Sequence, residues 1–224
     1  MEGKSALIVG ASGLVGNKLL KYLLSGQEYR MIVALVRNPL NIKHPKLEEK
    51  IIDFDNISSY KDSFRVNDIF CCVGTTINKA KSREKFKKVD VDYPIKMAKL
   101  SKETQVEKFL IISSMGANPN SLVFYSKMKG LLEDQIKDIG LNSLHIFRPS
   151  LLLGTRKEFR LGETIGKLLA KVLPFTFIGP LEKYKPIEAE TVALGMYRAA
   201  QRDVNGIHIY LSNEISKFAD KDLV

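Results

Sequence analysis

Short apolar runs alternate with longer, more polar segments over the first two thirds of the chain. Runs of this kind are typical of strands that are covered on both faces of a parallel sheet. The predicted strands are Ala6–Val9, Met31–Val36, Ile51–Phe54, Asp68–Gly74, Phe109–Ser113 and Leu144–Phe147. The predicted helices are Asn17–Leu24, Ile57–Phe64, a long basic segment after Gly74, and Tyr125–Ile139. This alternation predicts an α/β fold with a doubly wound parallel sheet, right-handed crossovers and helices on both faces.

The last third of the chain departs from this alternation. It predicts a helix at Leu161–Leu173, a loop or short strand at Pro174–Ile178, a helix at Glu190–Ala200 and a strand at Ile207–Leu211. A length of 224 residues suits one α/β domain. We therefore expect a single domain over residues 1–224, with about residues 155–190 forming a small C-terminal lobe for a substrate.

Composition narrows the class of protein. The apolar fraction of 45% is ordinary for a globular chain. Because no apolar run approaches the roughly 18 residues that span a bilayer, we expect no membrane segment. The first strand begins so close to Met1 that no signal peptide fits before it, which favours a cytoplasmic location.

Cysteine, histidine and charge each argue against one kind of site. Cys71 and Cys72 are neighbours on a predicted strand and would point to opposite faces, so we expect no disulfide. The three histidines are scattered, and no Cys/His cluster predicts a metal. The formal charge is +10, but the lysines are spread over helices. That spread favours a solvated basic surface over a nucleic-acid site.

A glycine-rich turn directly follows the first predicted strand and precedes the first predicted helix. It reads Gly10-Ala11-Ser12-Gly13-Leu14-Val15-Gly16. Gly10 permits a tight turn, Gly13 lets backbone approach a pyrophosphate, and Gly16 lets the helix pack closely on the strand. Phosphates would lie against the helix N-terminus, where free N–H groups and the helix dipole favour anions. The position predicts nucleotide binding rather than an ordinary turn.

A second group of polar residues follows the fifth strand. Ser113 and Ser114 end that strand, and Tyr125 and Lys129 lie four residues apart on one face of the next helix. An ammonium near a tyrosine stabilises the tyrosinate, which makes tyrosine a usable acid–base group. A serine hydroxyl beside it can hold a carbonyl or alcohol oxygen. The alternative is a surface Tyr–Lys pair with a serine-rich turn, and the glycine turn upstream favours function.

Six motifs occur along the chain in an order and at intervals that match a known family. They are GASGLVG at 10–16, CCVGTT at 71–76, VDVDY at 89–93, SSMGA at 113–117, YSKMKG at 125–130 and FRPSLLLG at 147–154. On these motifs the chain resembles the short-chain dehydrogenase/reductase superfamily, in its atypical, epimerase-like branch. More narrowly, it resembles the Tat-interacting-protein-like NAD(P)H-binding oxidoreductases. The resemblance implies a Rossmann fold and a nicotinamide cofactor.

The resemblance also implies where the cofactor binds. The residues that it places against the cofactor are Gly10, Ser12, Gly13, Leu14, Val15 and Gly16 at the pyrophosphate, Arg37 and Asn38 at the 2′-phosphate, Asp53 at the adenine, Val73 and Gly74 at the adenosine ribose, Lys129 at the nicotinamide ribose, Leu152 at the nicotinamide, and Arg160 at a phosphate. A guanidinium fits a phosphate bidentately, whereas an acid at the same place would repel it. NADP(H) is therefore expected in preference to NAD(H).

Tyr125 and Lys129 take the catalytic positions of the family, with Ser114 favoured over Ser113 as their partner. Two features depart from the family pattern. Asp90 stands where many members carry an asparagine, which puts a full proton relay in doubt. The predicted C-terminal lobe is also short for a nucleotide-sugar substrate.

Together these features predict an NADPH-dependent oxidoreductase that transfers hydride to a small carbonyl substrate. Two alternatives remain open at this point. One is a regulatory or sensor protein that binds NADPH and a protein partner without turnover, and the other is a nucleotide-dependent epimerase or dehydratase. A monomer and a homodimer are equally compatible with the sequence.

Overall fold

Seven parallel strands form one sheet in the computed structural model, which describes residues 3–154 and 179–220. In chain order the strands are β1 (Lys4–Val9), β2 (Tyr29–Val36), β3 (Leu47–Ile51), β4 (Asp68–Cys71), β5 (Lys108–Ile112), β6 (Ser143–Arg148) and β9 (Gly206–Leu211). They lie side by side in the order β3-β2-β1-β4-β5-β6-β9. Two further short strands, β7 (Leu152–Leu153) and β8 (Ile187–Glu188), pair parallel with each other. The predicted doubly wound Rossmann sheet is confirmed.

Helices cover both faces of this sheet. They are α1 (Leu14–Ser25), α2 (Ile77–Ala80), α3 (Arg83–Lys87), α4 (Tyr93–Glu103), α5 (Phe124–Lys137), α6 (Ala189–Ala199) and α7 (Ser212–Ala219), with 3₁₀ segments at Phe54–Phe64 and Gly179–Tyr184 and a π-helical turn at Lys88–Asp92. Helices α1, α6 and α7 contribute to the apolar core on one face, and α4, α5 and the first 3₁₀ segment contribute to the core on the other. Cys71 belongs to one core and Cys72 packs against the other, as alternate strand positions require.

The third strand lies earlier in the chain than its apolar pattern predicts. The prediction places it at Ile51–Phe54, whereas β3 covers Leu47–Ile51 and pairs with β2 at the end of the strand order. At this edge of the sheet the strand is only partly buried, so its sequence LEEKI is mostly polar. The apolar residues Ile52 and Phe54 instead enter the core after the strand has ended.

The basic segment after β4 is not one long helix. Lys81 adopts a left-handed conformation with φ of 62°, which ends α2. The hydroxyl of Ser82 then accepts a hydrogen bond from the N–H of Lys85 and caps α3. The π-helical turn joins α3 to α4 and carries the buried residues Asp90 and Val91.

The end of the chain rejoins the main sheet. Strand β9 pairs parallel with β6 and extends the sheet, and α7 follows it as a helix that the sequence pattern did not predict. The predicted elements at 161–178, and most of the expected C-terminal lobe, lie outside the described residues. Among the helices that the structure describes, none is long and apolar enough to cross a membrane.

Candidate functional site

The glycine turn brings three segments of backbone into close contact. Gly10 has φ of +87°, and a Cβ atom there would lie 2.5 Å from the carbonyl oxygen of Cys72. A Cβ on Gly16 would lie 2.2 Å from the carbonyl oxygen of Gly10. Between them the N–H of Gly13 donates to that same oxygen at 2.8 Å, and α1 begins at Leu14. Side chains at the first and third glycines would therefore push β1, β4 and α1 apart.

The turn opens onto a groove at the carboxyl end of the sheet. Strand order reverses at β1, which lies between β2 and β4, and a ligand crevice forms at such a point. The groove is lined by Gly10, Ala11, Ser12, Gly13, Leu35, Val36, Arg37, Phe54, Cys72, Val73, Gly74, Thr75, Lys79, Val89 and Tyr93. Residues predicted at the pyrophosphate, the 2′-phosphate and the adenosine ribose thus line one groove.

Two further cavities continue this groove towards α5. The second is lined by Gly13, Leu14, Val15, Cys72, Val73, Gly74, Thr76, Lys79, Ile112 and Leu152. The third is lined by Ser113, Ser114, Tyr125, Pro149, Ser150, Leu151 and Leu152. Neighbouring cavities share lining residues, and Leu152 lies between the second and the third. A path therefore runs from Arg37, past the glycine turn, to Ser114 and Tyr125.

Of the predicted site residues that the structure describes, four do not line this path: Gly16, Asn38, Asp53 and Lys129. Asn38 is exposed beside the groove. Asp53 caps the following 3₁₀ segment, where Oδ1 accepts from the N–H of Asp55 at 2.9 Å and Oδ2 accepts from Nδ2 of Asn56 at 3.0 Å. The ring of the next residue, Phe54, lines the groove instead of the Asp53 carboxylate. Arg160 lies outside the described residues.

The two candidate serines have different surroundings. The hydroxyl of Ser113 is buried and donates to Oε1 of the buried Glu133 at 2.5 Å. Arg148 binds the same carboxylate through Nε at 3.0 Å and Nη2 at 2.5 Å, and this bonding raises the pKa of Arg148. The hydroxyl of Ser114 is half-buried, and its one hydrogen bond among the described residues is to the carbonyl of Met115 at 3.2 Å. Ser113 uses its single proton within the core, so Ser114 is better placed to meet a ligand.

Lys129 forms a buried ion pair that sequence reasoning did not predict. Its Nζ lies 2.9 Å from Oδ1 of Asp90, and the two side chains are 2% and 1% exposed. The other oxygen of Asp90, Oδ2, accepts from the backbone N–H of Thr75 at 2.7 Å. The carboxylate thus contacts both α5 and the segment that follows β4.

Tyr125 lies one helical turn before Lys129, at the start of α5. It is half-buried and packs edge-on against Phe86, with ring centroids 5.9 Å apart. It lines the third cavity together with Ser114. The predicted Ser–Tyr pair is therefore at one end of the path, with the Lys129–Asp90 pair buried behind it.

Sequence reasoning missed several residues that line the groove near Arg37. The rings of Phe54 and Tyr93 lie 5.6 Å apart there, and the hydroxyl of Tyr93 donates to Oδ1 of Asp55 at 2.8 Å. Thr75 and Lys79 follow β4 and also line the groove. The CCVGTT motif pointed to this segment, but no local signal pairs the two rings, because they come from separate elements.

The arrangement is accompanied by clear likenesses to known proteins. A family model described as NAD(P)H-binding matches residues 10–152. The protein HTATIP2 of Rattus norvegicus is 34% identical over 178 residues, which cover 78% of this chain and 73% of that protein. The mitochondrial protein FMP52 of Candida albicans is 34% identical over 208 residues, which cover 90% of each.

Solved structures share the fold at lower identity. MoeE5 in complex with UDP-glucose and NAD superposes with a TM-score of 0.71 at 15% identity, over 96% of this chain and 80% of that one. The UDP-glucose 4-epimerase of Thermotoga maritima gives a TM-score of 0.65 at 13% identity, over 96% and 81%. At such identities the likeness concerns the fold.

Proposed function

Because this chain belongs to the atypical, short-chain dehydrogenase/reductase-like family of NAD(P)-binding proteins that includes HTATIP2 and FMP52, we propose that it is an NADPH-dependent oxidoreductase. Its substrate would be the carbonyl group of a small molecule. The observation that carries this proposal is the continuous path from Arg37 to Tyr125. A path of this kind lets one extended cofactor reach from a cation to an acid–base pair.

The glycine turn fits the diphosphate of such a cofactor. Within the described part of the chain, no side chain caps the N-terminus of α1, and the first turn of this helix carries no acidic residue. The free N–H groups there can donate to phosphate oxygens, and no carboxylate repels them. Because a Cβ at Gly10 or Gly16 would meet neighbouring backbone, these glycines let α1 begin directly beside β1, with its N-terminus at the groove.

Arg37 supports a preference for NADPH over NADH. It is exposed at the end of β2 and lines the groove at its adenine end. A guanidinium there can bind the 2′-phosphate through two parallel hydrogen bonds. The neighbouring rings of Phe54 and Tyr93 provide an apolar surface for the adenine.

In the proposed reaction a bound nicotinamide would supply the hydride, and the chain would supply the proton and the position of the substrate. Ser114 would donate a hydrogen bond to the substrate oxygen. The hydroxyl of Tyr125 would transfer its proton to that oxygen as the alcohol forms. Lys129, one turn along the helix, would hold positive charge near the tyrosinate that is left.

The test is the Tyr125→Phe variant, which removes the proton donor and keeps the ring. We expect NADPH oxidation with a panel of aldehydes and ketones to fall at least about 100-fold, because the proton must then come from water. NADPH affinity, followed by cofactor fluorescence, should stay within about threefold of wild type. Equal turnover by the variant and wild type would overturn the mechanism. A wild type that binds NADPH tightly but reduces nothing in the panel would favour a sensor.

A cytoplasmic location is also part of the proposal. The FMP52 relatives carry the word mitochondrial in their names. Fractionation of cells that express the full chain with a C-terminal tag distinguishes the two compartments. Recovery with mitochondria would overturn the cytoplasmic assignment.

A further inference from the structure

Asp90 contacts both the wall of the proposed cofactor groove and Lys129 of the proposed acid–base site. Its two carboxylate oxygens contact two different elements, with Oδ1 at 2.9 Å from Lys129 Nζ and Oδ2 accepting from the Thr75 N–H at 2.7 Å. Thr75 itself lines the cofactor groove. One buried side chain therefore joins the wall of the groove to α5.

Burial makes this carboxylate costly unless both contacts are kept. Asp90 is fully buried, and an ionised carboxylate taken out of water must be paired and hydrogen-bonded. Lys129 provides the opposite charge and Thr75 provides a backbone donor. The pair also faces the buried thiol of Cys71 on β4, whose pKa burial raises to about 12, so that thiol stays neutral at physiological pH.

The local backbone is arranged to place Asp90 here. It lies in the π-helical turn Lys88–Asp92, between two α-helices, and turns of this kind are frequent at functional sites. Its neighbour Asp92 in the same turn has a different role, because its side chain is 39% exposed and pairs with Lys87 at 2.5 Å. The two carboxylates provide a matched comparison within one turn.

We propose that Asp90 is a positioning residue that holds Lys129 and the Thr75 segment as one unit, so that cofactor affinity depends on the same carboxylate that places the catalytic lysine. The kinetic part of this inference rests on the proposed function, whereas the binding part does not. An asparagine would keep the acceptor for Thr75 and lose the charge opposite Lys129. An alanine would lose both.

The experiment compares Asp90→Asn, Asp90→Ala and the control Asp92→Asn. Thr75 amide exchange, followed by NMR without cofactor, should stay slow in D90N and D92N and become at least about tenfold faster in D90A. The dissociation constant for NADPH should rise about tenfold in D90A and less than about threefold in D90N. D90N should still lose turnover, with kcat at least about tenfold lower and KM little changed.

Each outcome bears on the inference separately from the proposed function. If D90A binds NADPH as wild type does and Thr75 exchanges at the wild-type rate, the inference is wrong even where Tyr125 proves essential for turnover. If wild type shows no turnover, the exchange and affinity measurements still decide it. Should D90A not fold, D90N decides alone: the inference is supported if Thr75 stays protected, NADPH affinity is kept and the midpoint of thermal unfolding falls by about 10 °C. A D90N midpoint equal to that of D92N would overturn it.

Discussion

Two buried aspartates lie near opposite ends of β4, and the fold uses these two ends of its parallel strands differently. Asp90 contacts the segment beyond the carboxyl end of the strand, and Asp68 is the first residue of the strand at its amino end. Both are fully buried. Among the residues that the structure describes, Asp90 has a buried cation within 3 Å, the ammonium of Lys129, and Asp68 has none.

Asp68 is held by weaker partners. Its Oδ2 accepts from the hydroxyl of Tyr29 at 2.6 Å, and the partly exposed Lys4 lies 3.6 Å away. Its Oδ1 is buried and accepts no hydrogen bond from the residues that the structure describes. Burial therefore raises the pKa of Asp68, and burial together with the nearby carboxylate raises that of Tyr29.

The comparison distinguishes the carboxyl end of the strands, where the groove lies, from the amino end, where the contacts hold the fold together. At the carboxyl end, charged groups face a groove and one another, in the position where doubly wound sheets bind ligands. At the amino end, Tyr29 also accepts from Gln201 and Lys4 donates to the carbonyl of Ala200, so the cluster connects the sheet to the end of α6. Substitutions at the carboxyl end should change ligand binding, whereas those at the amino end should change only the stability of the fold.

The largest expected difference lies between Lys129→Met and Lys4→Met. Lys129→Met leaves the buried Asp90 without its nearest cation and should cost about 3–5 kcal/mol of unfolding free energy. Lys4 is 30% exposed and lies farther from Asp68, so Lys4→Met should cost at most about 1 kcal/mol. Urea denaturation at pH 7 measures the free energy of unfolding of both variants, and equal losses would remove the distinction between the two ends of the strands.

A second prediction uses two arginines near opposite ends of β2. Arg37 directly follows the carboxyl end of β2 and lines the groove, whereas Arg30 is exposed near the amino end of the same strand. Arg37→Ala should weaken NADPH binding about 10- to 100-fold and NADH binding hardly at all, because only NADPH carries the 2′-phosphate. Arg30→Ala should leave both affinities unchanged. Fluorescence titration with the two cofactors checks this, and equal losses for NADPH and NADH would contradict it.

The smallest effect concerns the pH dependence of Asp68→Asn. Since the folded-state pKa of Asp68 is raised, the native state binds the extra proton, and wild type loses stability as pH rises from the unfolded value through the folded one. The asparagine variant lacks this loss. At pH 7 it should lie within about 1 kcal/mol of wild type or above it, and its advantage should shrink on acidification. Urea unfolding across this pH range tests the sign, which an advantage that grows at low pH would reverse.

The sequence predicted most strands of the sheet and the glycine turn that follows β1. Buried parallel strands are apolar runs, and the glycine turn carries its own conformational demand at Gly10. The edge strand β3 was placed too late because its exposed side chains are polar. The break of the basic segment at Lys81 was missed, since a left-handed lysine has no distinctive neighbours in the sequence.

Within the site, the residue types were predictable and their pairings were not. Ser113 and Ser114 are adjacent, but the position of Glu133 on the facing helix gives the first one a structural bond. Asp90 looked like a departure from a family pattern, whereas the fold places it against Lys129. Such choices depend on sheet register and helix packing, which bring together residues from distant parts of the chain.

The sequence by itself therefore determined the α/β class and the glycine turn after β1, because periodicity and turn chemistry act over a few neighbouring residues, whereas the Ser, Tyr and Lys site stays a prediction. Only the tertiary structure decided which charges are buried together and which groups face the groove. The reason is energetic: the cost of burying Asp90 depends on how near the fold brings Lys129 and the Thr75 N–H, and no local pattern records that distance.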